Sequence, residues 1–188
     1  MDLDIERVLI SRERIAERIR EMAAQITADH LPPAMPDGDE ITIVPILTGA
    51  MIFTADLMRE IPIAMRIGLL TVSSYPGSAV RTQGSQVLSQ QLGDVRGRHV
   101  LLIDDILDSG GTLRKVIPIL HELGAISVKT CVLLRKSERP EAKDTQADYV
   151  GFDIPDEFVV GYGLDYNNYY RNLPDIVTLN KAAIERRA

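Results

Sequence analysis

The chain has 188 residues, 45% of them hydrophobic and 26% charged, with a formal net charge of −6. That length and balance suit one globular domain with a sizeable core, and an acidic chain lacks the basic surface that sequence-independent nucleic-acid binding requires. The single cysteine, Cys131, excludes an intrachain disulfide, and its place in the apolar run "VKTCVLL" predicts burial in a strand rather than reactivity.

The opening "MDLDIERVLI" has no apolar segment of signal-peptide length, and no apolar run approaches the ~20 residues that span a bilayer. A cytoplasmic protein without a membrane partner is the expectation. Ile15, Ile19, Met22 and Ile26 recur at steps of four, three and four, predicting an amphipathic helix over 12–29 with Ser11 as its cap. The prolines and the Asp-Gly of "LPPAMPDGD" (31–39) break that helix and mark a connector. The pattern then alternates: strand 41–47, helix 50–59, strand 61–74, a polar loop, strand 99–104, helix 112–123, and strands near 127–134, 149–153 and 158–162. Near-continuous apolar strands separated by helices predict an α/β fold with a mainly parallel sheet covered on both faces. The polar stretch "YPGSAVRTQGSQ" (75–86) is long for a compact domain, and such loops commonly serve as active-site lids.

One segment concentrates chemistry: "VLLIDDILDSGGTLRKV" (100–116) sets three carboxylates and two adjacent glycines between apolar runs. In an open α/β sheet, ligands bind beyond the carboxyl ends of the strands, where Asp104 and Asp105 are expected. Ser109, Gly110 and Gly111 permit a tight turn whose N–H groups converge on a phosphate at a helix start, and the hydroxyls of Ser109 and Thr112 add donors. The Walker pattern is absent because no lysine precedes Thr112, and "GYG" at 161–163 lacks the third glycine of a dinucleotide fingerprint. Carboxylates repel phosphate, so acids beside the nest must serve something else, such as vicinal hydroxyls or a magnesium ion brought with the ligand. A sugar phosphate satisfies both halves of the pattern. Helix capping, worth about 0.3–1 kcal/mol per acid, accounts for one carboxylate and not for three.

The stretch "VLLIDDILDSGGT" resembles the phosphoribosyl-pyrophosphate signature of the type I phosphoribosyltransferases, with apolar residues, two acids and then D-x-G-x-T. "LLRKSERP" (133–140) and "DYVGFDIPDEFVVGYGLDYNNYYRNLP" (148–174) are similar to the purine-binding and C-terminal segments of the hypoxanthine members of that family. With "ILTGA" and "SSY", the resemblance covers about residues 40–180. It implies a single domain over 1–188 with a twisted, mainly parallel sheet flanked by helices. A small hood would come from the N-terminal segment and about 150–188, and a mobile loop from about 74–87. The implied activity is purine salvage: transfer of ribose 5-phosphate from phosphoribosyl pyrophosphate to hypoxanthine, with guanine as a second base, giving IMP or GMP and pyrophosphate. Magnesium is the implied cofactor, and a homodimer or homotetramer the implied assembly.

Position by position, the resemblance assigns roles as follows. Asp108 faces the purine and accepts its ring proton; Asp104 and Asp105 hold the ribose hydroxyls, directly or through metal; Ser109, Gly110, Gly111 and Thr112 cradle the 5-phosphate. Asp165 lies on the purine side and supports a second metal near the pyrophosphate. Lys136 donates to the exocyclic oxygen of an oxopurine, which disfavours adenine because an amino group there would face another donor. Phe158 stacks on the base and the backbone of Val159 meets its edge. Arg171 binds pyrophosphate, although on the residues alone it could equally pair with Asp175. Leu47, Thr48 and Gly49 cup pyrophosphate in a loop expected to contain a non-proline cis peptide, and Ser74 and Tyr75 begin the mobile loop.

Two departures stand out: Thr48 replaces a usual lysine, and Gly111 replaces a commonly larger residue. His30, His99 and His121 are scattered and show no metal-ligand spacing. Two rival readings are a guanine- or xanthine-preferring enzyme and a non-catalytic regulator that senses phosphoribosyl pyrophosphate. The regulator predicts a degraded base pocket and a basic face, opposite to the features present here.

Overall fold

The computed structural model describes residues 2–30, 41–73, 86–91, 95–139 and 145–187. In chain order its elements are β1 (Ile5–Ile10), α1 (Arg12–His30), β2 (Ile41–Leu47), α2 (Met51–Glu60), β3 (Met65–Ile67), β4 (Leu69–Ser73) and β5 (Gln86–Gln91). They continue with β6 (His99–Leu107), α3 (Gly111–Glu122), β7 (Ser127–Lys136), β8 (Tyr149–Ile154), β9 (Ile176–Leu179) and a terminal helix, α4 (Lys181–Arg187). The predicted connector 31–39 and the predicted lid 75–86, with Ser74 and Tyr75, lie outside the described residues.

The main sheet runs β5-β4-β2-β6-β7-β8, with β3 alongside the start of β2. Every pairing in it is parallel except β4 with β5. Period-2 alternation explains why β2, β6 and β7 read as near-continuous apolar runs, because each buries both faces. Leu101 and Ile103 of β6 join Ile41, Ile43, Cys131 and Leu133 in the cluster that includes Ile15, Ile19, Met22 and Ile26 of α1 and Phe53 and Leu57 of α2. Val100 and Leu102 turn the other way, toward Leu113, Val116 and Leu120 of α3. Each such side chain fully removed from water contributes roughly 1.5–3 kcal/mol, so the two layers hold the sheet from both sides.

The chain crosses from β2 through α2 toward β4 on one side, and from β6 through α3 to β7 on the other. The crossovers therefore part between β2 and β6, which makes the carboxyl ends of these two strands the topological switch point of the sheet. A separate antiparallel ribbon pairs β1 with β9, and Val160 exchanges backbone hydrogen bonds with Val177 beside it.

Several sequence expectations are corrected. The predicted strand 61–74 is two short strands, because Gly68 donates its N–H to Ile43 O and passes the chain from β3 to β4 along β2. The predicted strand 158–162 does not form: Gly161, Tyr162 and Gly163 all have positive φ, a turn conformation, and Val160 and Gly161 make only isolated bridges, to Val177 and Leu164. β6 does not stop before Asp104 but continues to Leu107. The strands β1, β5 and β9 and the helix α4 were not anticipated. Helix α1 matches its predicted span within one residue, although Ser11 Oγ lies 3.5 Å from Arg14 N and is a weak cap.

Candidate active site

Beyond the switch point lies a cleft of about 760 Å³, lined by the Leu47–Gly49 loop, Asp104, Asp105, Asp108, Ser109, Thr112, Phe158, Asp165 and Arg171. A smaller pocket of about 200 Å³ adjoins it and brings Lys136 and Val159 to Asp108, Phe158 and Asp165. Every described residue singled out in the sequence thus gathers at one end of the sheet, apart from Gly110 and Gly111, which form the turn beneath Ser109 and Thr112.

The loop after β2 is held by close approach. A Cβ on Gly49 would come within 1.8 Å of Asp105 Oδ2, so only glycine lets this backbone lie against that carboxylate. The Leu47–Thr48 peptide is cis, as the resemblance implied. On the other side of the cleft Gly110 takes φ +72° and leads into α3 without a side-chain cap. Of the first-turn N–H groups, Gly111 N–H donates only a long hydrogen bond, 3.4 Å, to Ser109 Oγ, so the start of the helix can receive an anion. Asp108 does not cap this helix, so its carboxylate is left for the pocket.

Asp104, buried, and Asp105, partly buried, form an acidic pair with no salt bridge to either among the described residues. Burial, reinforced by the charge of Asp105, holds the Asp104 carboxyl well above the usual carboxylate range. Burial also raises Asp105, although hydrogen bonds and the positive charge of Arg171 oppose it. Arg171 is bound to the neighbouring loop: Nη1 donates to Gly163 O at 2.7 Å, and Nη2 lies 2.6 Å from Asp165 Oδ1. The alternative pairing with Asp175 is not made, since Asp175 instead accepts the Arg12 N–H at 2.7 Å. Asp165 Oδ2 also accepts the Asn168 N–H at 2.8 Å.

The base side differs. Phe158 is 54% exposed at the pocket mouth, with its ring edge-on to Tyr166 at 5.5 Å, and is not a core residue. Lys136 is only 7% exposed and sits between two carboxylates, 3.6 Å from Asp108 Oδ1 and 3.2 Å from Asp156 Oδ1. Arg139 bridges the same two acids, with 2.8 Å to each. Sequence reasoning missed Arg139 and Asp156. The available signal was their position, Arg139 three residues after Lys136 in a turn and Asp156 two before Phe158.

Comparison with known proteins agrees with this geometry. The phosphoribosyl transferase domain model matches residues 9–167. The hypoxanthine-guanine phosphoribosyltransferase of Bacillus subtilis is 40% identical over 188 residues, covering 98% of this chain and 99% of its own. That of Mycobacterium avium is 40% identical over 179 residues, covering 94% and 87% respectively. A crystal structure of a hypoxanthine phosphoribosyltransferase from Staphylococcus aureus superposes with a TM-score of 0.84 at 38% identity, covering 95% of this chain and 94% of that one. A domain model that matches most of the chain, with relatives and a solved structure that match it nearly end to end, places the protein in the phosphoribosyl transferase domain family.

Proposed function

We propose that this chain transfers the 5-phosphoribosyl group from phosphoribosyl pyrophosphate to hypoxanthine and guanine, forming IMP or GMP and releasing pyrophosphate. The observation that carries this reading is the division of the site into a phosphate-and-ribose half and a base half. The first holds the nest at Ser109–Thr112, the acids Asp104 and Asp105, and Arg171; the second holds Asp108, Lys136, Phe158 and Val159.

The bond from the anomeric carbon to pyrophosphate breaks with its electron pair leaving on the pyrophosphate, and a purine ring nitrogen forms the new bond. The proton on the purine ring passes to Asp108, whose carboxylate lines both the cleft and the base pocket. Lys136 Nζ donates to the exocyclic oxygen; adenine would present a donor there and leave buried groups unpaired. Phe158 covers one face of the base and the Val159 backbone meets its edge. Arg171 and the Leu47–Gly49 loop receive the pyrophosphate, with Thr48 contributing no charge at the position where lysine is usual. Asp104 and Asp105 accept hydrogen bonds from the ribose hydroxyls.

Two adjacent carboxylates with no salt bridge among the described residues are a donor set that fits magnesium, and Asp165, paired with Arg171, lies on the pyrophosphate side. When bound, the ion neutralises charge building on the leaving group. The β1–β9 ribbon and the segment before it act as the hood of a single domain. The chain works as a homodimer or homotetramer, as the resemblance implies.

The test is product formation from phosphoribosyl pyrophosphate, magnesium and hypoxanthine. IMP and pyrophosphate appearing in equal amounts is the expected result. Binding of phosphoribosyl pyrophosphate without turnover of any purine would overturn the reading in favour of a sensor.

A further inference from the structure

Asp108 and Lys136 line the base pocket, and behind them stand a second carboxylate, Asp156, and a second cation, Arg139, that line neither pocket and have no part in the chemistry above. Asp108 Oδ1 lies 2.8 Å from Arg139 Nη1 and 3.6 Å from Lys136 Nζ, while Asp156 Oδ1 lies 2.8 Å from Arg139 Nε and 3.2 Å from Lys136 Nζ. Among the described residues the four make a ring in which both cations are shared between the same two oxygens. The sharing is unequal. Arg139 Nε donates a directed hydrogen bond to Asp156, whereas Asp108 Oδ1, shielded from water, receives none of hydrogen-bond geometry from the described residues. Arg139 N–H also donates to Lys136 O at 3.2 Å, so one turn carries both cations.

We propose that Asp156 is a positioning residue of the base pocket: it anchors Arg139 and Lys136 so that Asp108 can give up both cations to an incoming oxopurine. The inference rests on the reading of the site as one that phosphoribosylates oxopurines. An arriving base presents a ring N–H and an exocyclic oxygen. The N–H takes the place of Arg139 at Asp108 Oδ1, and the oxygen takes one donor of Lys136. Arg139 keeps its directed bond to Asp156, and the nearly buried Lys136 keeps a counter-charge on the same residue. Without Asp156, Asp108 is the only carboxylate left in the ring, and the base must compete with two cations for one oxygen. The cost falls on base binding and not on phosphoribosyl pyrophosphate, because Lys136, the pocket residue that Asp156 holds, lines the base pocket and not the larger cleft.

The experiment is steady-state kinetics of Asp156→Asn, with hypoxanthine and phosphoribosyl pyrophosphate varied separately. The expected result is a KM for hypoxanthine raised about tenfold, the loss of one charge-assisted contact, with the KM for phosphoribosyl pyrophosphate within about twofold of wild type. Asp156→Glu, which keeps the charge, recovers the larger part. Adding Arg139→Gln to Asp156→Asn lowers the hypoxanthine KM again by removing one competitor, a reversal that a purely structural role would not produce. Asp156 lies in an exposed bend after β8, and Arg139→Gln alone supplies a second check by leaving the hypoxanthine KM equal to or below wild type. An unchanged base KM in Asp156→Asn, equal rises in both KM values, a double variant no better than the single one, or a tenfold rise in Arg139→Gln would each overturn the proposal. Wild-type protein that fails to turn over hypoxanthine at all would instead remove the functional reading and this inference with it.

Discussion

The site contains two pairs of carboxylates, Asp104 with Asp105 and Asp108 with Asp156, and they are solved in opposite ways. Asp104 and Asp105 are packed at the end of β6 against the Leu47–Gly49 loop, and burial pushes both carboxyls up. Asp108 and Asp156 share two cations, and the hydrogen bond from Arg139 holds the Asp156 carboxyl below its usual range. A protein that leaves one acidic pair uncompensated while neutralising another nearby is using them for different partners. On the proposed reading the first pair receives groups that arrive with the substrate, and the second, which carries its partners within the fold, exchanges them when the base binds.

The comparison can be broken most severely at Asp108. Asp108→Asn keeps the shape and removes the proton acceptor, so kcat should fall by about 10²–10⁴-fold with binding of phosphoribosyl pyrophosphate retained. An equal loss of that binding, measured by calorimetry, would show that the two pairs are not separate in function.

A smaller effect of opposite sign is expected at Asp104. Its folded-state pKa lies above the unfolded value, so its charge works against the fold at neutral pH, and stability on this account is fully present below the unfolded pKa and is lost as pH rises through the folded one. Asp104→Asn can still accept the Asp105 N–H, and it should stabilise the unligated protein at pH 7 by on the order of 1 kcal/mol while lowering turnover. Thermal midpoints measured from pH 7 down toward pH ~4 should show that advantage shrinking, because wild-type Asp104 becomes neutral as well. A destabilised Asp104→Asn would contradict the uncompensated pair.

The smallest effect sharpens the contrast between strand interior and strand end. Cys131, three positions from Leu134 and deep in β7, is fully buried and its thiol is pushed up by burial. A thiol reagent should leave it unmodified until denaturant unfolds the sheet, with no change in activity beforehand.

Much of this was legible in the sequence, and the boundary is physical. Strand 41–47 and helix α1 could be read because each carries an unbroken pattern, an apolar run or a 3.6-residue period. The acids and the nest were legible because their residues are contiguous from Asp104 to Thr112. β1 could not be read because only Ile10 of its six residues is buried and its partner, β9, lies more than 160 residues away. The stretch 158–162 looked like a strand from its valines, but positive φ at Gly161, Tyr162 and Gly163 turns the chain back. The charge ring was hidden for a different reason. Asp108, Lys136, Arg139 and Asp156 come from three strand ends, and only the parallel order β6-β7-β8 brings them together.

The central claim is that the base pocket selects an oxopurine through Lys136 and Asp108. Its most direct test is nucleotide formation from phosphoribosyl pyrophosphate and magnesium with hypoxanthine, guanine, xanthine and adenine compared side by side. The account predicts that kcat/KM for hypoxanthine and guanine exceeds that for adenine by about 10⁴-fold, the scale on which a hydrogen-bonding pocket rejects a mismatched group. Adenine used as well as hypoxanthine would contradict it.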